Sequence, residues 1–361
     1  MERCSRCILP LDYPGIETDT DGTCNFCHEF EPGHYQGAEK LKADILERSK
    51  GSKYDVAIGF SGGRDSSFLV YYLSRVLGLK VLAITIDNGY MSRDAIDNVR
   101  SIADEFGVEL VIRKHRYLEY SFPRNLKAWS RQPDPALIIA LCNGCRFGLR
   151  KTLYQVMQEY GARVLVDGAS PLEPNPFKEK LFRLNPNGKG KLSLVVGILS
   201  HLLRNPRWII NPYNMYIFFM EYAAFYGKHY EKKLQKQGIS LISPFYNYIH
   251  WDEKFIEETL KNDAHWTLST QGVSTWRSDC LLAFLKGYLH KHTLGYNEQS
   301  GLISNLIRDG QISREEALAR VTRVQSVPEE YIRELLEKTG VDFNQMVDNI
   351  KKANLYREVT E

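Results

Sequence analysis

Tyr54-Asp55-Val56-Ala57-Ile58-Gly59-Phe60-Ser61-Gly62-Gly63-Arg64-Asp65-Ser66-Ser67-Phe68-Leu69-Val70-Tyr71-Tyr72-Leu73 decides the fold. It opens on a short apolar run of the kind that forms a buried strand and closes on apolar residues at helical spacing. Between them stand serines and two glycines. A strand that turns through small residues into a helix lets backbone N–H groups converge on one point, and the positive end of the helix dipole faces the same point. The stretch therefore predicts an anion site, and a phosphate suits it best.

Two familiar phosphate loops are excluded. A Walker loop needs Gly-x-x-x-x-Gly-Lys-Ser/Thr and a dinucleotide loop needs Gly-x-Gly-x-x-Gly, and neither occurs here. Ser61-Gly62-Gly63-Arg64-Asp65-Ser66 instead resembles the Ser-Gly-Gly-x-Asp-Ser motif of the PP-loop ATP pyrophosphatases. The resemblance implies that Ser61, Gly62, Gly63, Arg64, Asp65, Ser66 and Ser67 hold the β,γ-pyrophosphate of ATP while a substrate is adenylated. Ser61 and Asp65 are the catalytic candidates in that loop. Arg64 fills the free position, either as a phosphate ligand or as a solvated charge.

Downstream, the pattern alternates as in an α/β parallel sheet. Lys80 to Ile86 is nearly all apolar, as a strand buried on both faces must be, and Asp87-Asn88-Gly89 ends it. Arg93 to Phe106 reads as a helix closed by Gly107, Glu109 to Ile112 as a third strand, and Arg163 to Val166 as a fourth that ends at Asp167-Gly168-Ala169-Ser170. Ligands of such sheets gather at the carboxyl ends of the strands. The PP-loop resemblance assigns Asp87, Asn88 and Gly89 to the adenosine and turns Gly168 toward the nucleotide; without it, Asp-Asn-Gly is a good turn and no more.

The 361 residues suffice for more than one folded unit, and a net charge of +3 gives no strong nucleic-acid signal. The chain enters a cysteine motif at once, without the apolar stretch of a signal peptide, so a cytoplasmic location is expected. Cys4-x-x-Cys7 and Cys24-x-x-Cys27 are paired knuckles with the spacing of a closed tetrahedral zinc site, which would fold a segment too short for its own core. His28 reads as a surface residue. Three regions are predicted: a zinc knuckle module over 1–37, a HUP-like nucleotide-binding domain over 38–180, and a mainly helical substrate or oligomerisation region over 181–361.

A second set of thiols is harder to read. Cys142-Asn143-Gly144-Cys145 and the distant Cys280 are too few to close a four-cysteine cage, but three can hold a [4Fe–4S] cluster with one iron open. They resemble the three cysteines of the PP-loop tRNA thiolation enzymes. A second zinc, persulfide chemistry at Cys142 and Cys145, and buried inert thiols are the alternatives. The stretch 181–230 is rich in apolar and aromatic residues, notably Trp208 to Met220, with Lys189, Lys191, Arg204 and Arg207 around it. Prolines 206 and 212 argue against a membrane-spanning helix. Helices packed on the core or in a homodimer interface are the first expectation, and a surface for a lipid-linked substrate or a membrane is the second.

The knuckles, the loop and the tail Tyr296 to Leu318, with Ile307-Arg308-Asp309-Gly310-Gln311-Ile312-Ser313-Arg314-Glu315-Glu316-Ala317-Leu318, together resemble the N-acetyl sugar amidotransferases of bacterial surface-polysaccharide pathways. That likeness implies conversion of an acetamido group on a sugar to an acetamidino group, with ATP, Mg²⁺ held by Asp65 or Asp167, and ammonia from a separate glutaminase subunit. In the tail, Ser313 and Glu316 already account for themselves as a helix capping box. The alternative is a sulfur transferase working through Cys142, Cys145 and Cys280.

Overall fold

Val56–Gly59 (β1), Val81–Asp87 (β2), Glu109–Lys114 (β3), Val164–Val166 (β4) and Ser240–Ile242 (β5) form one sheet in the order β3-β2-β1-β4-β5, with every neighbouring pair parallel. This computed structural model describes residues 2–114, 116–173, 177–183, 191–206, 232, 234–268, 275–296, 298–324 and 328–357. Val56 lies opposite Val81, Ala57 opposite Leu165 and Val164 opposite Ser240. Because side chains alternate along a strand, Val56, Ile58, Val81, Ala83, Val164 and Val166 enter one buried cluster, and Ala57, Leu82, Ile84 and Leu165 enter another. Both faces are covered, which is why β2 carries almost no polar residue.

Helices Ala38–Arg48 (α1), Arg64–Tyr71 (α2), Arg93–Phe106 (α3) and Glu253–Asp263 (α6) pack into the first cluster, through Leu41, Phe68, Val99 and Ile256 among others. Asn143–Tyr160 (α5) covers the other face with Tyr154, Val156 and Met157. A second, helical core joins Arg116–Arg131 (α4) to Leu281–Leu294 (α7), Glu329–Thr339 (α10) and Phe343–Lys352 (α11), through Phe122, Trp129, Leu285, Leu336 and Met346. Between α7 and α10 lie Gln299–Arg308 (α8) and Arg314–Val324 (α9). Among the described residues, no helix is long and apolar enough to cross a membrane.

The strongest local signals match the elements observed. Ser92 caps α3, its Oγ accepting the Ala95 N–H, and Gly107 ends the helix in the left-handed region at φ 61°. Ser313 caps α9 by accepting the Glu316 N–H at 3.1 Å. One expectation needs correcting. The sheet does not stop before residue 181, because β5 adds to β4 through only three residues, too few for a readable alternation. Helix α4 runs through Pro123, whose missing N–H costs one helical bond that the burial of Phe122, Leu126 and Trp129 outweighs. The stretch Trp208 to Met220 lies outside the described residues.

Candidate active site

The sheet fixes where a ligand can sit. From β1 the chain steps out to β2 and β3 and then returns to β4 on the other side of β1, so the strand order reverses between β1 and β4. Helices on either side of that point diverge and leave a crevice at the strands' carboxyl ends. Ser61 to Ser67 follow β1, and Asp167 to Ser170 follow β4.

The loop is built to be tight. Gly62 has φ 73°, and a Cβ there would stand 2.0 Å from the Ala95 carbonyl oxygen of α3, a backbone atom that cannot move aside. Its own carbonyl accepts the Trp266 indole N–H at 3.0 Å and the Asn98 amide at 3.3 Å. Ser66 Oγ donates to the Gly63 carbonyl at 3.1 Å, and the Ser67 N–H does so at 3.0 Å. The Ser61 N–H reaches Ser66 Oγ at 3.3 Å and the Gly63 N–H reaches Ser61 Oγ at 3.4 Å, both long bonds. Gly168 closes the crevice from β4: a Cβ on it would lie 3.8 Å from the Ser66 nitrogen.

Three carboxyls stand round this loop. Asp65 accepts from Arg64 Nε at 2.8 Å. Asp167 accepts from Ser243 Oγ at 3.0 Å through Oδ2, while its buried Oδ1 has no partner among the described residues; burial pushes its pKa up. Asp279, absent from the sequence candidates, hydrogen-bonds Ser61, and its Cγ would be 3.2 Å from a Cβ on Gly63. Its pKa is raised by burial, against the opposing pull of Ser61 and Arg277. Nearby, Arg277 is exposed and holds the left-handed conformation at φ 51°, with its guanidinium 5.0 Å from the Trp276 ring centre.

Arg64 is not a solvated charge. It is 2% exposed, gives Nη1–H to Glu253 at 2.8 Å and to Thr275 at 2.6 Å, and stacks on Trp251 at 4.8 Å. A cation in a helix's first turn reads as solvated when its acidic partner lies 189 residues away. Glu253 also pairs with Arg320. Burial works to raise the Glu253 pKa, but Arg64 and Arg320 more than offset it, so the carboxyl sits below the usual 4.5. A depressed folded-state pKa gives stability that is present above the unfolded value and lost as pH falls through the folded one. Glu253→Gln is accordingly expected to cost about 3 kcal/mol at neutral pH, with wild type and variant converging in acid, as read from denaturant midpoints across pH.

The turn after β2 is tied down both locally and to the second set of thiols. Asp87 accepts the Gly89 N–H at 2.8 Å and faces Lys114 Nζ at 3.4 Å. Asn88 is buried; its Oδ1 accepts the Tyr90 N–H at 2.8 Å and its amide reaches Cys145 Sγ at 3.6 Å and Cys280 Sγ at 3.9 Å. Cys280 arrives by pairing with the chain just after this turn: Met91 bridges Cys280, and the Leu281 N–H donates to the Tyr90 carbonyl at 2.9 Å. Burial pushes Cys145 up and Cys280 to about 12, with Cys142 adding to both, so without a metal these are thiols at neutral pH.

At the other end, Cys4, Cys7, Cys24 and Cys27 are buried with all four sulfurs within 4.8 Å of one another. The Sγ separations of 4.0, 3.8 and 3.6 Å match the roughly 3.8 Å edge of a tetrahedron of thiolates round one ion. His28 is no ligand: it pairs with Asp19 at 2.8 Å. Arg308 of α8 donates to Cys7 Sγ at 3.2 Å, Cys27 Sγ at 3.3 Å and Cys24 Sγ at 3.8 Å, and Arg314 bonds the carbonyls of Cys4 and Cys7. Gln311 then links this end to the loop by accepting the Glu253 N–H at 3.0 Å and donating to the Trp251 carbonyl at 2.8 Å. The tail thus carries the ties that hold the N-terminal thiols, α6 and the phosphate loop together.

Residues 278–359 match the family model described as "LPS biosynthesis protein WbpG-like, C-terminal domain". A subunit of the glutamine-hydrolyzing GMP synthase of Thermoplasma acidophilum is 34% identical over 83 residues, 22% of this chain and 26% of its own. The chain carries the PP-loop motif at Ser61 to Ser66 and a WbpG-like C-terminal domain. An uncharacterized protein of Methanocaldococcus jannaschii is 27% identical over 177 residues, 46% of this chain. The chain spans 58% of that relative's length. Among solved structures, the U34-tRNA thiolase NcsA from Methanococcus maripaludis with its [4Fe-4S] cluster is similar at a TM-score of 0.38 and 17% identity, over 93% of this chain and 88% of that one. A TM-score below 0.5 is a loose likeness.

Proposed function

We propose that the chain adenylates the amide oxygen of an N-acetyl sugar and lets ammonia displace AMP, leaving an acetamidino group. The observation that carries this reading is the seat of Asp279: the second residue of the WbpG-like domain bonds Ser61 and lies against Gly63, so a domain of the surface-polysaccharide type helps to build the phosphate loop itself.

An amide oxygen is a poor leaving group. Its lone pair attacks the α-phosphorus of ATP, the bond to the bridging oxygen breaks, and pyrophosphate leaves toward Gly62 and Gly63. Incoming phosphate oxygens replace the long bonds from the Ser61 and Gly63 N–H groups, and the α2 dipole supports their charge. Ammonia then adds to the carbon, loses a proton, and AMP departs with the former amide oxygen. The unpartnered Oδ1 of Asp167 and the carboxyl of Asp65 suit a magnesium ion, which would neutralise the phosphates. The four N-terminal thiols suit a structural zinc. Ammonia would come from a separate glutaminase subunit or from solution.

The test is pyrophosphate release with N-acetyl sugars, free, nucleotide-linked and lipid-linked, each with and without ammonium. Release that requires both acceptor and ammonium, with a product in which NH replaces O, supports the reading; release indifferent to ammonium removes it. The sulfur reading is favoured by one feature, the approach of Cys145 and Cys280 to Asn88, with Cys142 close enough to raise both pKa values. Those three thiols suit an iron–sulfur cluster, which would carry the sulfur chemistry. Cys142→Ser separates the two: amidation is expected to keep its rate within about threefold, whereas sulfur transfer would fall by at least about a hundredfold. Anaerobic purification with iron and sulfide analysis gives an independent answer.

A further inference from the structure

Among the described residues His265, Arg277 and Asn354 hold a positive φ without being glycine. Histidine and asparagine enter that region more readily than other side chains, so the arginine, at φ 51°, is the strained one. Its neighbours are fixed on both sides. Before it, Thr275 Oγ1 accepts from Arg64 at 2.6 Å and donates to Glu257 at 2.7 Å, and the buried Trp276 gives its indole N–H to Glu173 at 2.8 Å. After it, Ser278 is buried and the Asp279 carbonyl accepts the Ser92 N–H at 3.0 Å. Strain that fixed flanks keep in place is a feature of positions that clamp a ligand.

The guanidinium is open. It lies over the Trp276 ring, is reached by solvent, and makes no hydrogen bond or ion pair among the described residues. Burial pulls its pKa down, but Glu298, Glu173 and Asp279 stand close enough to outweigh that pull. A side chain that solvent reaches and burial still affects lines a recess rather than a convex surface. Each of the three carboxyls is engaged elsewhere: Glu298 with Lys286 at 3.2 Å, Glu173 with the Trp276 indole, and Asp279 with Ser61. A planar fork of N–H donors is thus left without an acceptor, two residues from a side chain that bonds the phosphate loop. Such a fork matches two oxygens of one phosphoryl group, and the indole beneath it limits the freedom lost on binding. We propose that Arg277 binds a phosphoryl group in this recess, supplied either by the nucleotide or by the diphosphate of a nucleotide-linked acceptor. The inference rests on the reaction proposed above only in placing a phosphorylated substrate in the crevice. Its test reads binding and not turnover, so either can fail while the other stands.

The experiment is isothermal titration of the full-length protein and of Arg277→Gln with magnesium pyrophosphate, with AMP, and with uridine diphosphate N-acetylglucosamine. The variant is expected to lose at least about tenfold in affinity. A loss for pyrophosphate or AMP makes the nucleotide the source, and a loss for the sugar nucleotide alone makes it the acceptor. Arg277→Lys keeps the charge without the fork and should recover only part of the loss. Arg277→Gly supplies a readout that a packing role would not: glycine adopts φ 51° freely, so the thermal midpoint should hold or rise while binding falls as in the Gln variant. Unchanged affinity for all three probes in the folded Gln variant overturns the proposal, as does a wild type that binds none of them. So does a Gly variant that melts lower yet binds as wild type does.

Discussion

Gly62→Ala is expected to lower pyrophosphate release by at least about a hundredfold while most of the chain stays folded. A methyl group at this position meets the Ala95 carbonyl oxygen at 2.0 Å and holds a backbone torsion of 73° that L-residues rarely adopt. Helix α3 is anchored by its Ser92 cap and its buried Val99 and Ile102, so the loop must yield instead. Once the loop shifts, the N–H groups of Ser61 and Gly63 no longer point at one place, and the loss of even one aligned donor costs about a hundredfold or more in rate. Coupled detection of pyrophosphate at saturating ATP checks this. Turnover within tenfold of wild type would show that the phosphates lodge elsewhere. Gly63, by contrast, has an ordinary φ of −74°, and its crowding comes from the Asp279 side chain, so Gly63→Ala should be the milder change.

Cys24→Ser is expected to abolish metal binding at the N-terminal thiols and to destabilise the protein by at least about 3 kcal/mol, because a closed four-thiolate site contributes folding energy directly and the buried Ile8, Leu9 and Tyr13 pack around it. The loss extends beyond that segment. Arg308 donates to three of the four sulfurs, and without a charged centre its guanidinium is left half-buried against neutral groups, a position that costs several kcal/mol when a partner is removed. Asp309 and Gln311, next along the same turn, hold His250, Trp251 and Glu253, so α6 and the Arg64 pair should loosen as well. Elemental analysis and a thermal scan with and without chelator measure both effects. Full metal content together with an unchanged transition would remove the structural role of the centre.

Much of this is legible from local pattern. The phosphate loop follows from a string whose serines and glycines act over a few ångströms, and β1, β2 and β4 follow from apolar runs that only a doubly covered sheet can bury, whereas β3 is the half-exposed edge strand. The paired Cys-x-x-Cys knuckles announce a four-thiol centre because the ligand spacing is set within each knuckle. Asp279 gives no such sign. It reaches the crevice through the pairing of residues 279–281 with 90–92, a contact that no periodicity records.

Residue order alone was enough for the elements and their chemistry: a glycine turn between a strand and a helix, four thiols in two knuckles, and a capped tail. These depend on interactions within a few residues, which composition and spacing encode directly. It took the packed molecule to make Arg64 a buried tie between α2 and α6 and to turn Asn88 to the second thiol set. Each of those outcomes turns on a partner scores of residues away along the chain, and the burial that selects such partners exists only once the whole chain has packed.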